Sequence, residues 1–181
     1  GATLRIEAEV ANPGPGPLPF GFGFHPAFVW PLPDAGPGSG PGGDGAPHAI
    51  TLDNGGEPAL ARLRDGLLTG PTAASPFCSG RLDLHPGLFA EGALVFPEGA
   101  GQGLRYGVSG GRSGGPGLRL AFENLPNLAL WTKPGSPFLC IEPWHGMAAH
   151  EGAPPDIAAR PGTMTLAPGE TRRFAMSITP D

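Results

Sequence analysis

Two residues in this sequence combine a type and a setting suited to proton transfer: His25 and Glu142. His25 lies in Gly23-Phe-His-Pro-Ala-Phe28, between aromatic residues and directly before a proline. Proline biases the residue before it towards extended backbone, so His25 is expected in a defined geometry. Apolar neighbours would tune an imidazole that already titrates near neutrality, which suits general acid–base chemistry. The same setting also fits a half-buried histidine with satisfied hydrogen bonds. Glu142 ends the apolar run of Phe138-Leu-Cys-Ile-Glu-Pro-Trp-His-Gly146. A strand of apolar residues closing on a carboxylate places that carboxylate at the mouth of a core. Burial there raises its pKa and makes it a better base. Trp144 beside it offers a flat apolar face of the kind on which a sugar ring stacks. The alternative for Glu142 is a solvated strand-end carboxylate, or one hydrogen-bonded to a turn.

Other chemistry-bearing residues give weaker signals. His145 and His150 match no standard zinc spacing and no cysteine pair supports them, so no metal site is expected. His85 precedes a turn and reads as a surface residue; His48 opens a strand and gives no signal. Cys78 and Cys140 lack a close histidine partner in sequence, which argues against a nucleophilic thiol. Phosphate-loop, dinucleotide and nucleophile-elbow motifs are absent. The Gly-rich stretch Gly110–Gly117 reads as a hairpin turn.

The elements that must position His25 and Glu142 are strands. Thr3 to Val10 alternates, with Leu4, Ile6, Ala8 and Val10 on one face and charged residues largely on the other, the period-two signature of a half-buried antiparallel strand. Short strands are predicted over 48–52, 81–84, 93–96, 104–108, 117–122, 128–132, 138–142, 163–166 and 172–178, separated by Gly and Pro breakers. Leu63–Leu68 and Leu88–Ala93 each read as a single helical turn. Residues 33–47, rich in Gly, Pro and Asp, read as a flexible surface loop inside the domain. Pro168-Gly-Glu170 is expected to close a hairpin between Thr163–Leu166 and Phe174–Ile178. The pattern is all-β, a sandwich or barrel.

The 181 residues suffice for one domain, 1–181, with a sizeable core. Gly (32) and Pro (25) are abundant but fall mostly between apolar runs, as turns require. A net charge of −5 with eleven scattered Lys and Arg argues against a nucleic-acid partner. No apolar run reaches membrane-spanning length and none reads as a leader. Two cysteines make no disulfide framework, so a reducing, cytoplasmic setting is the expectation. The chain opens abruptly in a strand, which suggests that an upstream segment is missing.

Taken in order, several runs resemble one family. They are Gly21-Phe-Gly-Phe-His-Pro-Ala-Phe28, Asp65-Gly-Leu-Leu-Thr-Gly70, Leu88-Phe-Ala-Glu-Gly-Ala-Leu-Val-Phe96, Leu130-Trp-Thr-Lys-Pro-Gly135, Phe138-Leu-Cys-Ile-Glu-Pro-Trp-His-Gly146 and Leu166-Ala-Pro-Gly-Glu170. The series is similar to the aldose 1-epimerase family, in its bacterial branch of galactose-mutarotase-like proteins found beside sugar operons. The resemblance implies an antiparallel β supersandwich with a sugar site in a cleft on one sheet. It implies that Glu142 acts as base on the anomeric hydroxyl and His25 as acid on the ring oxygen. A free hexose would open and reclose as the other anomer, with no cofactor or metal. Trp144, Trp131 and Glu91 are the candidate sugar contacts, Glu91 standing beside the position where relatives often carry an Asp. Family members also carry an N-terminal portion that supplies strands, a second histidine and an arginine. Without it the sheet edges would be open, which favours a homodimer. A non-catalytic sugar-binding module and a hexose-6-phosphate 1-epimerase are the alternatives, the latter needing a basic cluster that scattered residues such as Arg105, Arg112 and Arg119 do not form.

Overall fold

The structure, a computed structural model, describes residues 1–109 and 115–181, so most of the turn expected at Gly110–Gly117 lies outside the described residues. Strands are numbered in chain order. One sheet holds, edge to edge, β1 (Leu4–Ala11), β15 (Thr171–Pro180), β11 (Gly117–Glu123), β10 (Gly103–Val108), β5 (His48–Leu52) and β8 (Arg81–Asp83). The second runs β3 (Phe22–Gly23), β13 (Phe138–His145), β12 (Asn127–Trp131), β9 (Leu94–Phe96), β6 (Leu60–Arg64) and β7 (Leu67–Ala73), with β4 (Ala27–Val29) also paired to β13. A small sheet joins β2 (Leu18–Phe20) to β14 (Met164–Leu166). The strand pairs of these sheets are antiparallel, and the all-β supersandwich expected from the sequence is the architecture found.

The two large sheets face each other across one apolar layer. Ile50, Leu104, Tyr106, Leu120 and Phe174 come from the first sheet, and Leu94, Phe96, Leu128, Leu130, Leu139 and Ile141 from the second. Side chains alternate along each strand, so every inward residue fixes its neighbours outward. Tyr106 bridges the layer: its ring is buried and its hydroxyl donates to the carbonyl of Val29 at 2.9 Å. The alternation read in β1 holds, with Ile6, Ala8 and Val10 half-buried. Its other face carries Arg5, which reaches Glu123 at 2.8 Å, and Glu9, which reaches Arg173 at 2.8 Å.

Two local expectations are corrected. Leu63–Leu68 is no helical turn but the tip of the β6–β7 hairpin, where Leu63 pairs with Leu68 and Arg64 with Leu67. Asp65 and Gly66 have φ of 52° and 80°, both in the left-handed region that a two-residue hairpin loop uses. The Asp-Gly pair outweighs the apolar spacing. Next, β14 does not pair with β15. It pairs with β2, because buried Asn12 donates from Nδ2 to the carbonyl of Leu166 at 2.9 Å while its backbone exchanges hydrogen bonds with Gly169 and Glu170. The Pro168 turn therefore hands the chain from one sheet to another.

The 33–47 segment is a surface loop, and His48 anchors it at two points. The amide of Leu32 donates to Nε2 of buried His48 at 3.0 Å, and Nδ1 lies 3.1 Å from the carbonyl of Ser39. This pairing assigns the Nδ1-protonated neutral tautomer, Nε2 being the acceptor. Burial lowers the His48 pKa from 6.5, which the Ser39 carbonyl opposes in part. A histidine held neutral in the fold leaves the unfolded chain to bind the proton first. Its stabilising effect is present above the unfolded value and is lost as the pH falls below it. Melting temperature should therefore fall more steeply between pH 6.5 and 5 in the parent than in His48→Gln; equal slopes in thermal melts of the two would show that His48 does not carry this dependence.

Candidate active site

The site forms where the edge of the second sheet is interrupted. Gly23 pairs with Trp144 and Ala27 with Cys140, so counting inward from either pair sets His25 opposite Glu142. The ladder is continued across the gap by Phe24, whose amide donates to the Pro143 carbonyl at 3.1 Å, and by Ile141, whose amide donates to the Pro26 carbonyl at 3.2 Å. Pro26 and Pro143 have no N–H to give, so regular pairing cannot run through this point. A cross-strand pair on one face brings side chains together. Here it brings His25 Nε2 to 3.4 Å from Glu142 Oε2.

Leu139 and Ile141 point into the core, which forces Cys140, Glu142 and Trp144 onto the outer face of the sheet. Part of that face is covered. Ala61, Leu68, Val95 and Ala129 form a second apolar cluster on it, against which Trp144, Met147 and Ala148 pack. Glu142 is accordingly only 3% exposed, whereas the His25 side chain is 60% exposed. Burial pushes the Glu142 carboxyl up to about 7, and the charge of His25 pulls it partly back. Ionising such a group costs on the order of 3 kcal/mol more than in water. Near neutral pH both of its protonation states are therefore populated.

Trp131 pairs with Cys140 and so shares this face; its ring stands edge-on to His25 with centroids 6.4 Å apart. Trp144 lies across Gly23, where an added Cβ would come within 2.1 Å of indole Cδ1. A cleft of about 430 Å³ opens beside His25 and Trp144 and is lined also by Met147, Ile157 and Arg160, while Trp131 and Glu142 lie outside its lining. Its size is that of a small-molecule site. Buried Asn127 holds the cleft's rim, donating to the Gly146 carbonyl at 3.1 Å and accepting from the Glu98 amide at 2.9 Å.

Four of the five residues singled out in the sequence thus converge: His25, Glu142, Trp131 and Trp144. Glu91 does not join them. Its side chain is 77% exposed and lies 3.6 Å from Arg62. Arg62 pairs with Leu94, which pairs with Leu130, and Leu130 with Ile141, so Arg62 belongs to the face opposite Glu142. Two neighbours were not legible. Arg160 follows a short 3₁₀ turn, Ile157–Ala159, that no motif marks. Cys140 offers its sulfur within 4.8 Å of His25 and Glu142, a proximity created by sheet register and not by spacing to a histidine in sequence.

The sheets have the antiparallel β supersandwich fold of galactose mutarotase-like structures. The structure is similar to that of a galactose mutarotase related enzyme from Lactobacillus acidophilus, with a TM-score of 0.79 and 20% identity, covering 99% of this chain and 57% of that one. It is similar also to a galactose mutarotase-like protein from Lactobacillus casei ATCC 334, with a TM-score of 0.78 and 22% identity, covering 98% and 58%. In sequence the chain is 30% identical over 108 residues to the LacX proteins of Lactococcus lactis subsp. lactis, both the chromosomal and the plasmid form. That match spans 58% of this chain and about a third (35%) of the length of those relatives. No protein-family model matches.

Two outcomes test the site's packing and electrostatics. Gly23→Ala should destabilise the fold by about 1–3 kcal/mol in urea melts, because its methyl displaces a packed indole. A change below the error of the melts would mean that Trp144 moves freely. For Glu142, a folded pKa raised above 4.5 gives a stability contribution that is full below 4.5 and lost as the pH rises through about 7. Glu142→Gln, always neutral, should therefore gain stability over the parent progressively from pH 5 to 8 in chelator-treated buffer; a pH-independent difference would contradict the assignment.

Proposed function

We propose that this chain carries the acid–base site of an aldose 1-epimerase, interconverting the α and β anomers of a free hexose. The observation that supports it most is the contact of His25 with a buried Glu142 at 3.4 Å, beside a cleft of monosaccharide size. Ring opening moves a proton off the anomeric hydroxyl and another onto the ring oxygen. Both oxygens are bonded to one carbon, so acid and base must stand side by side. In this reading Glu142 removes the hydroxyl proton and His25 protonates the ring oxygen. The aldehyde turns about its C1–C2 bond, and closure on the other face restores both groups to their starting forms. A carboxyl held near neutrality suits a base that must also give its proton back. Trp144 and Trp131 supply apolar faces to the sugar, and Arg160 supplies hydrogen-bond donors at the cleft.

A second reading is a sugar-binding module without catalysis, and the 3% exposure of Glu142 favours it, since a substrate must reach past His25 to touch the carboxylate. A phosphorylated hexose is less well supported. Arg105 and Arg119 both pair with Asp181, away from the cleft, and Arg112 lies outside the described residues. Polarimetry on freshly dissolved α-D-glucose and α-D-galactose separates the first two readings. The enzyme should accelerate the approach to equilibrium, and Glu142→Gln should lower the rate by about 10²–10⁴-fold. Hexose binding that survives Glu142→Gln, with no acceleration by the parent, would establish the module instead.

A further inference from the structure

Cys140 is a thiol that the proton-transfer reading leaves unused, yet it lies in the same group of side chains. It precedes Glu142 by two residues on β13, so both point to the outer face, and Ala27, its partner across the ladder, is too small to come between it and His25. The ligand atoms of His25, Cys140 and Glu142 all lie within 4.8 Å of one another. We propose that these three residues bind a divalent cation of the zinc class, leaving the fourth position open to the cleft.

Three lines of chemistry carry this inference. First, the donor set is one imidazole nitrogen, one sulfur and one carboxylate oxygen, the types zinc takes, and three protein ligands with one open position is a common zinc arrangement. Second, the distances fit. Ligands bonded to one tetrahedral zinc stand about 3.3–3.8 Å apart, from the usual bond lengths of about 2.0–2.3 Å. His25 and Glu142 are already at 3.4 Å. The sulfur must close by about an ångström at most, within reach of a rotamer adjustment. Third, the exposed His25 gives an ion a path from solvent, while Trp131 and the apolar cluster shield the far side. On binding, the Cys140 S–H loses its proton to solvent as the metal–sulfur bond forms, so uptake releases a proton and strengthens with pH. The thiol is otherwise held protonated, pushed up to about 11 by burial and by the Glu142 charge. A metal here would occupy the lone pairs of both His25 and Glu142, so metal and sugar chemistry would exclude each other. The proposal does not depend on the epimerase reading.

Cobalt(II) titrated into the reduced full chain tests it, because thiolate-to-cobalt charge transfer absorbs in the near ultraviolet and four-coordinate cobalt gives intense visible bands. Both bands should saturate at one ion per chain and be displaced by zinc. Cys140→Ser should abolish the near-ultraviolet band, and Cys78→Ser, which removes the other thiol, should keep it. His25→Ala alters an exposed side chain and should weaken affinity by more than about 100-fold, beyond the roughly 10–100-fold cost of losing an outer-shell partner. Should Cys140→Ser fail to fold by circular dichroism, His25→Ala decides: an unchanged affinity overturns the site. So would a folded parent with no thiolate band, or a band that follows Cys78 in place of Cys140.

Discussion

The site depends on a single register. Because Gly23 faces Trp144 and Ala27 faces Cys140, His25 has nowhere to lie but opposite Glu142. A shift by one residue would turn His25 to the other side of the sheet and leave a buried carboxylate without its partner. Without the His25 charge, which lowers its pKa, the buried carboxyl would be driven further towards its neutral form. The prolines on either side contribute through what they lack. Without N–H groups at Pro26 and Pro143 the ladder cannot run regularly past the pair, and the edge strand divides into β3 and β4. The division lets an exposed histidine sit over a carboxylate that the sheet itself keeps dry.

Several ties hold β13 where that register needs it. Thr132 donates to the carbonyl of Phe138 at 2.6 Å at the strand's beginning, and Asn127 to that of Gly146 at 3.1 Å just beyond its end. Tyr106 binds the neighbouring β4 to the opposite sheet through the Val29 carbonyl. Each is a side chain satisfying a backbone carbonyl, a bond worth about 1 kcal/mol when made and more when left unmade in a buried place. Leu139 and Ile141, both fully buried, contribute the larger share by anchoring alternate residues in the core. The outer face of β13 is thus determined by its inner face.

What the sequence made legible follows period and chemistry that are local. Strand alternation in β1, the apolar run ending in Glu142 and the His-Pro dipeptide all act over a few residues, and the structure places the elements they describe. The β6–β7 hairpin was readable from Asp65-Gly66, but the apolar spacing of Leu63, Leu67 and Leu68 pointed to a helical turn and concealed it. The destination of β14 was not readable at all, because it rests on Asn12, 154 residues away from Leu166. His48 differs, since its partners Leu32 and Ser39 are near in sequence, but a strand-opening histidine carries no mark that its ring will hold the loop before it. Glu91 was placed at the sugar by its position beside a family Asp, and its pairing with Arg62 on the other face could be known only from strand order. Cys140 stayed hidden for the opposite reason, since its partner is near in space and far along the chain.

The asymmetry of the pair explains how one constellation could serve protons and yet attract metal. A buried carboxyl raised to about 7 stands against an exposed imidazole, and both are groups that exchange protons and that a cation can take as ligands. The proposed zinc site adds a third donor, a thiol raised to about 11 by burial and by the charge of Glu142. Burial is the first cause of both shifts. Polar substitutions under Trp144, at Ala129 or Val95, would lower both groups together. They would weaken Glu142 as a base while easing the deprotonation of Cys140. In both proposals the outer face matters through burial, to which the cluster of Ala61, Leu68, Val95 and Ala129 contributes.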